Sequence, residues 1–144
     1  MLKIITSLFI IALPAIVYAQ VPTKGPLDKQ RFTAEILEEG KKKPLDPDDL
    51  NFTAGKFKSV IFGDWGFTKA GKYEISSIDS SSQQNLKIYN WHAKLVNDLA
   101  DTLNWVGVIK GDDIEGSIAL INKKGTTKRT YTFTGKMKKK PGQK

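Results

Sequence analysis

With 144 residues, 40% of them hydrophobic, the chain can build one domain with a packed core but has no room for two. Its formal charge of +8 favours anionic surfaces as partners. With no cysteine and one histidine, disulfide staples, thiolate metal sites and a lipidated-cysteine anchor are excluded.

Taken in chain order, Lys3 opens a short positive region, Ile4 to Val17 is almost wholly apolar, and Val17-Tyr18-Ala19 places small residues before Gln20. This is the pattern of a secretory signal peptide, residues 1–19, cleaved after Ala19. The apolar run contains Pro14 and falls short of the roughly 20 residues a transmembrane helix needs. A secreted or periplasmic location is therefore expected. Residues 20–30, with Pro22, Gly25 and Pro26, read as an extended leader outside the core.

Arg31 to Leu37 alternates Phe32, Ala34 and Ile36 against Thr33 and Glu35, which predicts a strand. Glu38 to Asp49 is charged, carries Pro44 and Pro47, and reads as a solvated loop that includes Asp46, Asp48 and Asp49. Leu50 to Thr53 and Lys56 to Ile61 form a hairpin closed by Ala54-Gly55, with Phe52 and Phe57 inward and Lys56 and Lys58 in water. After an interruption at Gly63 to Phe67, Lys72 to Ile78 resumes the strand pattern, and Ser80 to Asn85 is a polar loop. Leu86 to Val96 puts Tyr89, Trp91, Ala93 and Leu95 on one face with Leu86 and Ile88 on the other, as a bulge or phase change would. One helical turn is the expectation for Asn97 to Thr102.

The last third is a β-meander. Leu103–Lys110, Ile114–Ile121 and Lys128–Gly135 are strands joined at Gly111-Asp112-Asp113 and Asn122 to Gly125. Tyr131, Phe133 and Gly135 alternate with Thr130, Thr132 and Thr134, so one face is buried and the other wet. Eight strands without a sustained helical period would leave two exposed edges unless the sheet closes. The expected fold is all-β, an eight-stranded antiparallel up-and-down barrel over residues 31–137, with an open sandwich as the alternative. Outward Thr130, Thr132, Thr134, Lys56, Lys58 and Glu74 exclude an outer-membrane barrel, whose outer face must be apolar.

Aromatic residues supply the candidate site. Tyr73, Tyr89, Trp91, Trp105 and Tyr131 come from several strands and would line a pocket for a small apolar or amphiphilic ligand if the barrel has a mouth. If it has none, they plug the axis and the protein is a solid-core interaction module acting through its basic surface. Residues 138–144 form a basic tail. Together with Lys136, its Lys138, Lys139 and Lys140 could meet an anionic envelope surface. Nucleic acid is not an expected partner, since no recognition motif surrounds these lysines, and a monomer is expected. His92 reads as a solvent-facing strand residue without metal partners. Asp112, Asp113 and Glu115 read as turn chemistry. No linear spacing places a nucleophile beside a base, so neither an enzyme nor a cofactor is expected.

The stretches Asp49-Leu-Asn-Phe-Thr-Ala-Gly-Lys-Phe-Lys-Ser59, Trp65-Gly66-Phe67, Trp105-x-Gly107-x-Ile109-x-Gly111-Asp112-x-Ile114-Glu115-Gly116 and Tyr131-x-Phe133-x-Gly135 together resemble a group of small exported bacterial proteins. These are lipocalin-like, calycin-type β-barrels without assigned function, and the likeness runs from Arg31 to Met137. The resemblance implies a barrel. It carries over no catalytic residues. The Gly-x-Trp of true lipocalins is absent from Arg31 to Leu37, so no retinoid-like or lipid ligand is carried over either.

Overall fold

The computed structural model describes residues 25–81 and 86–139. The expected signal peptide, residues 20–24 of the expected leader, residues 82–85 of the Ser80 to Asn85 loop and residues 140–144 of the tail all lie outside the described residues. Eight strands follow in order: β1 (Arg31–Glu38), β2 (Asp48–Thr53), β3 (Lys56–Ser59), β4 (Gly71–Ser81), β5 (Leu86–Val96), β6 (Thr102–Lys110), β7 (Asp113–Ile121) and β8 (Thr127–Met137). One short helix, α1 (Val60–Asp64), separates β3 from β4. Each strand pairs antiparallel with the next, and β1 closes on β8 in a register running from Phe32↔Met137 to Glu38↔Tyr131. The fold is the closed up-and-down barrel that the alternation predicts.

Alternation decides which residues fill it. Phe32, Ala34 and Ile36 of β1, Phe52 of β2, Phe57 of β3, and Tyr131 and Phe133 of β8 are buried, while Lys56, Lys58, Thr132 and Thr134 are exposed. Curvature comes from one cross-strand row, Trp91↔Gly107↔Gly116↔Phe133 on β5 to β8. A methyl group on Gly116 would sit 2.1 Å from the Val106 carbonyl oxygen and 2.8 Å from Phe133 Cζ. One on Gly107 would meet Trp91 Nε1 at 2.8 Å. The two rings therefore occupy the space that side chains would take, and the sheet bends over them.

Five local expectations are corrected. Residues 25–30 are not an extended leader: they form a turn that buries Leu27 completely. Asp48 is not solvated. It opens β2, is fully buried, and accepts from Val60 N–H at 2.9 Å, Ile61 N–H at 3.0 Å and the Ser59 hydroxyl. That carboxylate ends β3 two residues early, because it satisfies the first amides of α1 and turns Val60 and Ile61 from strand into helix. The phase change lies on β4 rather than β5: the register shifts between Ile75↔Trp91 and Ser77↔Asn90, leaving Ser76 as the extra residue. Asn97 to Asp101 is a turn, not a helix, held by the Asn97 side chain on the amides of Leu99 and Asp101.

Candidate functional surface

The interior is a continuous aromatic column. Tyr73 meets Phe52 at 5.1 Å between ring centroids, Phe52 meets Trp91 at 5.0 Å, and Phe57 bridges Trp91 and Trp105 at 5.1 and 4.8 Å. Trp105 reaches Phe133 at 5.1 Å, and Phe62 joins Trp105 to Tyr131 at 5.7 and 5.4 Å. All of these contacts are edge-on or tilted, the arrangement that aromatic quadrupoles favour. The indole N–H groups of Trp91 and Trp105 have no hydrogen-bond partner among the described residues, so ring packing rather than hydrogen bonding holds them.

Both ends of the column are stoppered. At one end α1 turns Phe62 inward, fully buried. At the other, Leu27 enters beside Tyr73, whose hydroxyl donates to Asp28 Oδ1 at 2.8 Å and accepts the Leu27 N–H at 3.1 Å. Asp28 also takes the N–H of Gly25 at 2.8 Å and of Gly55 at 2.9 Å, which ties the turn to the β2–β3 hairpin. Burial and then the Asp28 carboxylate push the Tyr73 hydroxyl pKa well above its ordinary value, so it stays a proton donor. Of the five aromatic residues singled out in the sequence, Tyr73, Trp91, Trp105 and Tyr131 are built into this column. Tyr89 makes no ring contact with the column; it is half-buried opposite Ile78 on the β4–β5 hairpin and packs against the edge of the core.

Concavity lies on the outer wall instead. A groove of about 680 Å³ crosses the outward row Val108, Glu115, Thr134 and Glu35. A second, of about 480 Å³, is lined by Ser76, Asn90, Val106, Val108 and Thr132, with the buried Trp91 beneath it beside Gly107.

Charge on the outer wall is also patterned. Lys56 of β3 faces Lys72 of β4 directly. Because Tyr73 pairs with Ala93, Lys94 continues the same row on β5 and then meets Asn104. With exposed Lys58, these make a basic wall over β3 to β5. Like charges set directly opposite each other cost stability, and Glu74 offsets them only at 3.7 Å from Lys72, in a pair open to solvent. The tail is different. Lys136 pairs with Asp113, and Lys138 pairs with Asp49 at 2.7 Å while its N–H bonds the Arg31 carbonyl. The sequence signal for the basic wall was present in Lys56, Lys72 and Lys94, but only the register aligns them.

Beside the wall, Glu74 faces His92 across β4 and β5. Glu74 Oε2 lies 3.2 Å from His92 Nε2, and Ser76 Oγ lies 3.0 Å from His92 Nδ1. The next outward pair is also bonded: Asn90 Nδ2 donates to Ser77 Oγ at 2.9 Å and to Asp79 Oδ2 at 3.0 Å.

Compared with known proteins, the chain matches no family model, no curated protein and no solved structure.

Proposed function

We propose that this protein is an exported, solid-cored barrel, akin to the calycin-type proteins its Gly and aromatic spacing resembles, that docks on an anionic lipid surface through its basic wall. The observation that carries the reading is the row of Lys56, Lys72 and Lys94, side by side on three strands. Such a row is a folding cost that an anionic partner turns into binding energy. The filled, stoppered interior supports the same reading, because it directs recognition to the outside. The apolar run Ile4 to Val17 supports export.

Co-sedimentation with phosphatidylglycerol vesicles tests it, with phosphatidylcholine vesicles as reference. At about 1 kcal/mol per lysine near a charged surface, Lys56→Gln, Lys72→Gln and Lys94→Gln combined should weaken binding about 100-fold. Lys136→Gln with Lys138→Gln should weaken it less, since those lysines already face Asp113 and Asp49. Equal affinity for the two vesicle types would refute the reading.

A second reading, a small apolar ligand, is supported by the groove of about 480 Å³ with Val106 and Val108 in its lining. Such a ligand would quench Trp91, which borders that groove, and raise the melting temperature with concentration. A panel of fatty acids and isoprenoids without quench or thermal shift would dismiss it.

A further inference from the structure

We propose that Ser76, His92 and Glu74 form a hydrolytic relay on the outer wall, cleaving carboxylic esters of short acyl chains. The inference does not rest on the lipid-docking reading.

The arrangement follows from the sheet. Glu74 and Ser76 stand two apart on the same outward face of β4, and His92 is the direct partner of Glu74 on β5. Ser76 is the extra residue of the bulge and has no partner of its own on β5, which frees its hydroxyl to turn onto the imidazole. A carboxylate can only accept, so Glu74 fixes the proton on His92 Nε2 and leaves Nδ1 bare. Bare Nδ1, 3.0 Å from Ser76 Oγ, then accepts the serine proton. Nucleophile, base and orienting carboxylate are thus in hydrogen-bonded sequence, the arrangement that activates a hydroxyl.

A substrate has somewhere to lie. Ser76 lines the groove of about 480 Å³, whose other walls include Val106 and Val108. That surface suits a short acyl chain.

In the first half-reaction Ser76 Oγ bonds to the ester carbonyl carbon while its proton passes to His92 Nδ1. The tetrahedral adduct then collapses, the carbon–oxygen bond to the alcohol breaks, and the alcohol leaves with that proton. In the second, water attacks the acyl-serine and gives a proton to Nδ1. Collapse returns this proton to Ser76 and releases the carboxylic acid. The sum is ester plus water giving acid plus alcohol.

The test pairs a fluorophosphonate probe with p-nitrophenyl butyrate hydrolysis on the full chain. Peptide mapping should find the probe on Ser76, with Ser80→Ala leaving labelling unchanged. Ser76→Ala and His92→Gln should abolish labelling and each reduce hydrolysis about 100-fold, the scale of lost general-base catalysis. Glu74 acts through His92 as a positioning residue, so Glu74→Gln should slow labelling with at most a small fall in melting temperature, since its pair with Lys72 is open to solvent. His92 and Glu74 are exposed, so their variants should fold, and a thermal melt checks this. Probe found only on other serines, or hydrolysis unchanged in Ser76→Ala, would overturn the proposal.

Discussion

Phe133 shows how much one residue carries. It is 1% exposed and packs on Trp105, while its strand neighbour Thr132 faces water. Phe133→Ala should cost about 3–5 kcal/mol in denaturant unfolding, and Thr132→Ala should be close to neutral. A methyl added by Gly116→Ala meets the Val106 carbonyl oxygen at 2.1 Å, backbone that cannot step aside cheaply. A loss of about 1–3 kcal/mol is expected from that overpacking, read by the same unfolding curves. The inward phase of Phe133 was legible in the sequence because threonines flank it on both sides. The Ser76–His92–Glu74 contact was not, because it depends on which β4 residue faces which β5 residue. That register is reset by a one-residue bulge that leaves no mark in composition.

At the scale of the element, α1 explains a misplaced boundary. Val60 and Ile61 are β-branched and extend the strand pattern of Lys56 to Ser59, so local propensity argues for more strand. The buried Asp48 carboxylate wins by capping two helix amides from a distant position in the chain. Burial, opposed by the Ser59 hydroxyl and the Ile61 and Val60 amides, leaves its pKa above the ordinary 3.8. The folded protein then holds this proton more tightly than the unfolded chain. The resulting stabilisation is full below pH 3.8 and is lost as pH rises through the raised folded-state value. Asp48→Asn removes that dependence. The stability of wild type relative to the variant should therefore be greater at about pH 3 than at about pH 6, measured by denaturant unfolding at each pH. The Leu27 turn is the other element hidden from local reading. Pro26 and Gly25 mark an irregular segment, but nothing nearby in sequence announces that Leu27 fills the barrel end. Leu27→Ala should cost about 2–5 kcal/mol, a loss that an extended leader would not show.

Across the whole molecule, alternation, turn chemistry and the cost of open edges were enough to give a closed eight-stranded barrel. They do not say whether such a barrel is hollow. That depends on long-range placement: Phe62 folding in from α1, Leu27 entering opposite, and rings from β2 to β8 meeting along one axis. With the axis filled, the outer wall is the surface on which recognition is proposed, and its lysine row is the feature with the clearest physical cost. Ionic strength probes that row most directly, because screening shortens from about 30 Å at 0.01 M salt to about 8 Å at 0.15 M. The decisive measurement is the affinity for phosphatidylglycerol vesicles across that salt range, for wild type and for the combined Lys56→Gln, Lys72→Gln, Lys94→Gln variant. Wild-type binding should be tight at low salt and fall steeply as salt rises, with the variant weaker throughout and its slope shallower. Identical curves for the two proteins would contradict docking through the basic wall.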